Sequence, residues 1–306
     1  MKKKIGIVGA GAVGTTIAYS LITNNIPADI FLVDIDKARC HGEFLDLSDA
    51  LPFNTSSTTI HVGTLKEIQT ADIIIIAAGK KQEPGQSRHA LLETNQKIIK
   101  NIIRPLLPLP SSTILIMVTN PVDILTRYAL EISKLPNQQV FGSGTYLDSM
   151  RLRQFIGNYL QVSPQSVQVD IYGEHGDSQF VAWSTAMINS IPLSLLPQFN
   201  YQEFVNLAHQ VRNRAYEIIK CKGSTFYGIA TCIADICKMI IFDQKKVIPV
   251  SVYEKKSDVC YSVPCVVSAT GIEQILPLFI NKEEQKHLIN SITILQSLWQ
   301  NITSKK

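Results

Sequence analysis

The chain has 306 residues, of which 45% are hydrophobic and 18% are charged, a balance typical of a packed globular protein and not of a disordered one. At about 150 residues per domain, this length predicts two domains. Lysine and arginine (29) exceed aspartate and glutamate (25) by only four. Their longest run is Lys2–Lys4, and a pair stands at Lys305–Lys306, so the basic surface needed for nucleic-acid binding is not expected.

Short β-rich runs alternate with helical patterns over the first 140 residues. The predicted strands are Lys4–Val8, Ile30–Val33, Thr59–Val62, Ile73–Ala78, Ile114–Val118 and Val140–Phe141, and the predicted helices are Ala12–Asn24, Lys37–Asp49, Arg88–Ile103 and Val122–Lys134. Three of the strands are almost entirely apolar, which is typical of parallel strands covered by helices on both faces. The alternation therefore predicts an α/β fold with a doubly wound parallel sheet.

The pattern changes after about residue 143. The β-rich runs Lys246–Tyr253 and Val259–Val267 stand among helical segments, and an amphipathic helix is predicted over Lys282–Gln300. We therefore predict a first domain over residues 1–142 and a second, α+β domain over residues 143–306, with the boundary near Gly142–Gly144.

The six cysteines form no C-x-x-C pair and do not stand at zinc-binding spacing with the six histidines. We therefore expect free thiols, a reducing compartment and no metal site. No run reaches eighteen unbroken apolar residues, and the basic start leads into a glycine-containing run without a cleavage site. These features predict a cytoplasmic protein with no membrane span.

A G-x-G-x-x-G motif, GAGAVG, runs from Gly9 to Gly14 between the first predicted strand and the first predicted helix. In this motif Gly9 permits a tight turn, Gly11 lets the backbone approach a pyrophosphate, and Gly14 lets the helix lie close to the strand. Asp34 ends the second strand, where its carboxylate would accept hydrogen bonds from a ribose and repel a 2′-phosphate. The motif predicts a Rossmann fold that binds NAD, with Gly9, Gly11, Val13, Gly14 and Asp34 at the site.

Three further polar segments follow predicted strands or lie in loops. They are the Gly- and Pro-containing residues 79–88, the segment VTNPVD at Val118–Asp123, and the pair formed by residues 142–151 and GEHGDS at Gly173–Ser178. GAGAVG, TNPVD, the pair Asp148-x-x-Arg151 and GEHGDS occur in that order. Through these motifs the chain resembles the L-lactate/malate dehydrogenase family from Ile5 to at least Gly228.

The resemblance implies that residues 1–142 form the NAD-binding domain and residues 143–306 the catalytic domain, with a site for a 2-hydroxy acid substrate. Oxidation removes a hydride from carbon and a proton from oxygen, and imidazole is the side chain closest to half-titration near neutral pH. The resemblance implies that His175 is this acid/base, that Asp148 orients its ring, and that Arg151 grips the substrate carboxylate. Arg88 would polarise the substrate carbonyl from a mobile lid. Asn120 would bind near substrate and nicotinamide, and its bond to the following proline is a candidate cis peptide.

The resemblance also bears on which acid is used. Gln82 matches the lid residue that faces the variable end of the substrate, where an arginine would pair with the second carboxylate of malate, so Gln82 favours pyruvate and L-lactate. Thr225 matches the lactate-type residue at the small side-chain pocket, and Ile229 would pack on the nicotinamide. Lys80–Lys81 depart from the usual lid pattern, and residues 179–184 look like those of L-2-hydroxyisocaproate dehydrogenases.

NAD-dependent interconversion of L-lactate and pyruvate is therefore the first hypothesis. A 2-hydroxyisocaproate or malate dehydrogenase of the same family is the alternative, and a non-catalytic nucleotide-binding protein is the hypothesis from another class. The four matched polar residues at the catalytic site disfavour the last of these, because a pure binder needs no carboxylate behind an imidazole.

The resemblance extends to assembly and control. It implies a homo-oligomer, with a tetramer favoured over a dimer. Many bacterial relatives are activated by fructose 1,6-bisphosphate through an arginine and a histidine at a subunit interface. Arg153 matches the arginine, but Gln168 occupies the position of the histidine. One cationic donor is absent, so we expect weak phosphate affinity and little activation.

Overall fold

The computed structural model describes residues 2–80 and 88–303, and it describes only the backbone at residues 88–90 and 303. The elements up to residue 142 are β1 (Lys3–Val8), α1 (Ala12–Thr23), β2 (Ala28–Val33), α2 (Lys37–Asp49), β3 (Thr59–Val62), α3 (Leu65–Ile68), β4 (Ile73–Ile76), α4 (Arg88–Ile103), β5 (Ile114–Met117), α5 (Val122–Ser133) and β6 (Val140–Gly142). The elements after residue 142 are α6 (Tyr146–Leu160), β7 (Val167–Gln168), β8 (Ile171–Tyr172), β9 (Phe180–Val181), β10 (Met187–Ile188), β11 (Ile191–Pro192), α7 (Tyr201–Lys222), α8 (Tyr227–Ile241), β12 (Lys246–Glu254), β13 (Val259–Ser268), β14 (Gly271–Ile275) and α9 (Lys282–Thr303).

A nine-stranded sheet forms the centre of the molecule, in the order β14-β13-β12-β6-β5-β4-β1-β2-β3. The strands β1 to β6 are parallel and lie in the order 3-2-1-4-5-6, which confirms the predicted doubly wound Rossmann sheet. The strand order reverses between β1 and β4. Ligands of such sheets bind outside the carboxyl ends of the strands at this reversal, which is where the GAGAVG turn begins.

The sheet continues beyond residue 142 through an antiparallel extension. Ser251 of β12 pairs with Gly142 of β6, and β13 and β14 follow as antiparallel neighbours. The two predicted β-rich runs therefore form a long hairpin on the edge of the parallel sheet. The division into domains at residues 142 and 143 stays a prediction.

The hydrophobic core explains why the strands are so apolar. The four isoleucines of β4, Ile73–Ile76, have no exposed surface, because helices cover both faces of the sheet. The same core includes side chains from α8, β12, β13 and α9. A smaller core lies between α6 and α7, and Leu152, Phe204 and Val211 are among its fully buried residues.

Some element ends differ from the sequence prediction. β4 ends at Ile76 and not at Ala78, and the carbonyl oxygen of Ala78 accepts a hydrogen bond from the hydroxyl of Thr119. α5 ends one residue early, because Lys134 adopts a left-handed conformation with φ of 59°.

Three of the sequence predictions concern cysteines, membrane-spanning helices and metal ligands. The six cysteines are free thiols, and five of them are buried, with Cys221 exposed. Within residues 2–80 and 88–303, no helix has the length and apolar character to cross a membrane. Over the same residues, no cluster of three or more His, Cys, Asp or Glu side chains is arranged to hold a metal ion.

Candidate active site

The GAGAVG turn has the shape that its glycines predict. Gly9 has φ of +107°, and a Cβ atom there would lie 2.7 Å from the backbone nitrogen of Ala78. A Cβ at Gly14 would lie 1.8 Å from the carbonyl oxygen of Gly9, so only glycine allows α1 to pass so close to β1. A Cβ at Gly11 would meet nothing within 4 Å. The backbone is therefore open beside the first turn of α1, where free N–H groups and the helix dipole favour a phosphate.

Asp34 lies at the carboxyl end of β2, next to this turn. Its Oδ2 accepts the N–H of Ala10 at 2.6 Å, and its Oδ1 accepts the N–H of Asp36 at 2.9 Å. Each carboxylate oxygen retains a further lone pair that can accept a ribose hydroxyl. Val13, in the first turn of α1, packs partly buried against the main core. The residues present therefore fit a dinucleotide without a 2′-phosphate.

His175, Asp148 and Arg151 come together beside the first turns of α6. The Nδ1 of His175 lies 2.7 Å from Oδ2 of Asp148, and Nη1 of Arg151 lies 3.2 Å from Oδ1 of the same carboxylate. Asp148 is 3% exposed, whereas the His175 side chain is 28% exposed and can be reached from outside. The Nδ1–H donates to the carboxylate, so Nε2 is the ring nitrogen left for a substrate.

The surroundings of His175 favour its protonated form. Burial opposes the charge on the ring, but the negative charge of Asp148, its hydrogen bond and the charge of Asp123 outweigh this effect. Arg151 acts in the opposite sense, and the net result is a pKa of His175 above its ordinary value of 6.5. The imidazole is thus suited to hold a proton near neutral pH.

Buried hydroxyl groups fix the start of α6 on the neighbouring strands. The N–H of Thr145 donates to Oγ of Ser262 at 3.0 Å, and the Thr145 hydroxyl donates to the carbonyl of Ile171. The N–H of Ile171 in turn donates to Oγ of Ser149 at 2.8 Å. Gly144 has φ of +54°, and a Cβ there would lie 2.4 Å from the Ser262 hydroxyl. These contacts set the position of the helix that carries Asp148.

Asn120 follows β5 at the carboxyl edge of the sheet. Its carbonyl oxygen accepts a hydrogen bond from Nδ2 of Asn95 at 2.8 Å. Asn120 is an exposed residue. The bond from Asn120 to Pro121 is cis, as predicted. Asn95 also bonds both backbone groups of Lys80, the last described residue before the gap.

Thr225 and Ile229 flank the start of α8. Both are partly buried, and Ile229 packs against the main core. An ideal Cβ at Gly228 would lie 3.0 Å from Leu147, so α8 begins directly beside the first turn of α6. Of the remaining predicted residues, Gln82 and the side chain of Arg88 lie outside the described residues.

Asp123 has a place in the site that the sequence analysis did not assign. It is 2% exposed, and its Oδ2 accepts the backbone N–H of His175 at 2.7 Å. Its Oδ1 accepts the hydroxyl of Ser251 at 2.6 Å. Burial raises the pKa of Asp123 to about 6, although both hydrogen bonds act to lower it. In the sequence, the only indication of this role is that Asp123 is an acidic residue within TNPVD, at the start of a mostly apolar helix.

The guanidinium of Arg153 is already paired in this structure. Its Nη2 donates to Oδ1 of Asp170 at 2.7 Å, and its Nε donates to the carbonyl of Val169 at 3.0 Å. Gln168 is exposed on β7. The ion pair was not predicted, and an incoming phosphate would have to compete with Asp170 for the guanidinium.

Two family profiles match the sequence. Residues 3–142 match the family described as lactate/malate dehydrogenase, NAD binding domain, and residues 145–305 match the one described as lactate/malate dehydrogenase, alpha/beta C-terminal domain. L-lactate dehydrogenase A of Rhizopus oryzae is 41% identical, and the alignment covers 97% of this chain and 92% of that protein. L-lactate dehydrogenase 2 of Bacillus anthracis is 38% identical, over 97% of this chain and 98% of that protein.

Solved structures agree with these sequence matches. The minor L-lactate dehydrogenase from Enterococcus mundtii, in its ligands-bound form, superposes with a TM-score of 0.94 at 34% identity and covers 98% of both chains. A lactate dehydrogenase enzyme from a Medee basin deep-sea metagenome library superposes with a TM-score of 0.93 at 33% identity and covers 99% of both chains.

Proposed function

This chain belongs to the lactate/malate dehydrogenase family and is an NAD-dependent oxidoreductase, and on that premise we propose that it interconverts L-lactate and pyruvate with His175 as the acid/base. The observation that carries this proposal is the short contact of 2.7 Å between His175 and the almost fully buried Asp148. A carboxylate in this place holds the imidazole in one tautomer and stabilises its charged form.

The proton chemistry follows from this pair. In the reducing direction His175 starts protonated, and its Nε2–H donates to the ketone oxygen of pyruvate. Asp148 stabilises the imidazolium before the transfer. As the ketone oxygen gains negative charge, the proton moves from Nε2 to this oxygen. The GAGAVG turn and Asp34 would hold the nicotinamide cofactor, which would supply the hydride as NADH when pyruvate is reduced and accept it as NAD⁺ when L-lactate is oxidised. In the oxidising direction the neutral Nε2 takes the hydroxyl proton of L-lactate.

Arg151 has the charge and the position to bind the substrate carboxylate. One of its guanidinium nitrogens, Nη1, contacts Asp148, which leaves further N–H donors for a two-pronged pair with a carboxylate. Its side chain is 13% exposed, so this pair would form in a largely dry place, where it is stronger than in water. We assign Asn120 and Thr225 to the same substrate site.

The proposed site also includes Gln82 and Arg88, whose side chains are not among those that the structure describes. We assign Arg88 to polarising the carbonyl group and Gln82 to the variable end of the substrate, as the family resemblance implies. A neutral Gln82 supports pyruvate over oxaloacetate, because the second carboxylate of oxaloacetate would lack a cationic partner.

Assembly and location are also proposals. We infer a homo-oligomer, with a tetramer favoured, from the family resemblance and from exposed apolar side chains such as Tyr19 and Leu45, which are 51% and 52% exposed. Six free thiols support a reducing compartment such as the cytoplasm.

The experiment follows NADH absorbance with pyruvate, oxaloacetate and 2-ketoisocaproate in parallel. We expect kcat/KM to be highest for pyruvate. A higher kcat/KM for 2-ketoisocaproate or oxaloacetate would transfer the assignment to the corresponding relative. Absence of turnover with all three acids, from protein that binds NADH, would contradict the proposed reaction.

A further inference from the structure

We propose that Ser291, on the C-terminal helix α9, is a positioning residue for His175, because its buried hydroxyl ties together the two flanks of the GEHGDS loop that carries the imidazole. This inference rests on the proposed function and adds one residue to it. The described hydrogen bonds of the Ser291 hydroxyl go to Glu174 and Ser178. Ser291 therefore acts on the acid/base through the loop and not through the ring.

The hydroxyl of Ser291 contacts the loop on both sides of His175. Its oxygen accepts the backbone N–H of Glu174, the residue before His175, at 3.3 Å. It donates to the backbone carbonyl of Ser178, three residues after His175, at 2.7 Å. The hydroxyl oxygens of Ser291 and Ser178 also lie 2.9 Å apart. One side chain thus joins the main chain before the acid/base to the main chain after it.

The two serine hydroxyls have one proton each, which decides the direction of these bonds. The Ser178 hydroxyl donates to the carboxylate of Glu174, so the proton of Ser291 is the one that the Ser178 carbonyl receives. The oxygen of Ser291 keeps its lone pairs for the N–H of Glu174. Ser291 is therefore a donor to one flank of the loop and an acceptor from the other, and a methyl group can be neither.

The contact between the loop and α9 is close and dry. Ser291 is 0% exposed, so no water can take the place of its hydroxyl unless the structure shifts. Gly173, at the start of the loop, has φ of +86°, and a Cβ there would lie 2.6 Å from Oγ of Ser291. Without the hydroxyl, the N–H of Glu174 and the carbonyl of Ser178 can find new partners only if the loop moves.

The helix that carries Ser291 is itself firmly held. Leu295 and Trp299, on the same helix, are 1% and 6% exposed and belong to the main core. The guanidinium of Arg127, on α5, lies 4.4 Å from the centre of a Trp299 ring. Near the start of α9, the carboxylate of Glu284 accepts the N–H of Ser184 at 2.9 Å. A side chain on so fixed an element can set the position of a loop.

Ser291 and Asp148 control different properties of the imidazole. Asp148 contacts the ring at Nδ1, so it sets the tautomer and favours the charged form. Ser291 carries no charge, so its effect is on where the loop presents Nε2 to the ketone oxygen. Transfer of a proton depends steeply on that distance and angle. Loss of the Ser291 hydroxyl should therefore slow the transfer step without changing the pH at which the imidazole titrates.

The substitution Ser291→Ala tests this expectation. We measure kcat for pyruvate, and the deuterium isotope effect on kcat with NADH that carries deuterium at the transferred position. A misplacement of about 1 Å costs about a hundredfold, and a loop still held by Asp123 and Asp148 should move less, so kcat should fall about three- to tenfold. The isotope effect should rise, because hydride transfer then limits turnover more than the steps around it.

Two further readouts should keep their wild-type values in Ser291→Ala. The alkaline limb of the pH profile should not move, because the contact between His175 and Asp148 is retained. The KM for NADH should not change, because the GAGAVG turn is untouched.

The matched control is Ser133→Ala, which also deletes a buried hydroxyl. Ser133 ends α5 and is 3% exposed, and its hydroxyl donates to the carbonyl of Leu130 and accepts the N–H of Leu135, both at 3.4 Å. This variant should lower the melting temperature but leave kcat and the isotope effect unchanged. A purely structural role for Ser291 would give the same result in Ser291→Ala.

The outcomes separate this inference from the proposed function. A wild-type enzyme that reduces pyruvate, with kcat and isotope effect unchanged in Ser291→Ala, would overturn the inference and leave the proposed function intact. A shifted alkaline limb in Ser291→Ala would also overturn it, because the charge of the imidazole would then have changed. A wild-type enzyme without pyruvate turnover would instead contradict the proposed function.

If Ser291→Ala does not fold, Ser291→Cys decides the question. The thiol is a weaker donor and acceptor than the hydroxyl. We expect a lower kcat and a raised isotope effect in this variant, and wild-type values of both would overturn the inference.

Discussion

The contact between His175 and Asp148 makes Asp148→Asn the most informative substitution in the site. It removes the negative charge but leaves a side chain of the same shape. The asparagine can orient its oxygen towards Nδ1–H, or its amide towards a bare Nδ1, and the second arrangement holds the ring in the wrong tautomer. It also leaves Arg151 without the carboxylate that now lies 3.2 Å from it.

The magnitude follows from the geometry. The two atoms are 2.7 Å apart and Asp148 is 3% exposed, whereas the His175 side chain is 28% exposed, so solvent screens the pair only in part. A hydrogen bond between charged groups contributes about 1.5–3 kcal/mol. At about 1.4 kcal/mol for each factor of ten, kcat/KM for pyruvate should fall about ten- to one hundredfold at neutral pH.

The sign with pH is fixed by the direction of the shift. Asp148 raises the pKa of His175, so its loss lowers that pKa and depletes the protonated form as the pH rises. The loss of activity should therefore be larger on the alkaline side and smaller in acid. NADH binding, measured by quenching of protein fluorescence, should be unaffected because the proposed cofactor contacts at the GAGAVG turn and Asp34 are unchanged.

A double-mutant cycle tests the reasoning. His175→Asn should reduce turnover to a small residual rate while NADH binding survives, and adding Asp148→Asn to it should lower that residual rate only slightly, because Asp148 acts mainly through the ring. Retention of the wild-type pH profile and of at least half of kcat/KM in Asp148→Asn would refute the role assigned to this pair.

Three further predictions concern the cofactor, the substrate and control. Asp34→Ala should weaken NADH binding and relax the preference for NADH over NADPH, measured by titrating both cofactors; unchanged selectivity would contradict the contact with the ribose. Gln82→Arg should shift the ratio of kcat/KM values from pyruvate towards oxaloacetate, because a new cation pairs with the second carboxylate. An unaltered ratio would mean that Gln82 does not face the substrate. Fructose 1,6-bisphosphate should change the half-saturation for pyruvate little, because Gln168 carries no charge and Arg153 is paired with Asp170 at 2.7 Å. A strong activation that Arg153→Ala abolishes would show that this site functions.

The fold was predictable where local pattern decides the structure. The apolar runs and the helices between them predicted a doubly wound parallel sheet, and α2 and α4 have the predicted bounds, Lys37–Asp49 and Arg88–Ile103. The union of β12 with β6 was not predictable, because one backbone pair between Gly142 and Ser251 joins segments far apart in sequence. Nothing in either segment alone specifies which sheet edge it will meet.

The site divides in the same way. Motifs pointed to His175, Asp148 and Arg151, since their residue types and spacing carry the chemistry. The role of Asp123 depends on partners 52 and 128 residues away, and a carboxylate at a helix start usually signals only a favourable position in the dipole. Long-range hydrogen bonds of this kind leave almost no local signature.

The pairing of β6 with β12 has a consequence for the newly made chain. Every residue of β6 is buried in the folded protein. Its neighbour on one side is β12, whose paired residue Ser251 lies 109 residues after Gly142 in the chain. At about 5–20 residues per second, a ribosome needs about 5 to 20 s to synthesise that stretch. During this time the emerging half presents an open, apolar strand edge, the type of surface that recruits other unfinished chains. Yield in a cell should therefore depend on how well that edge is shielded during translation.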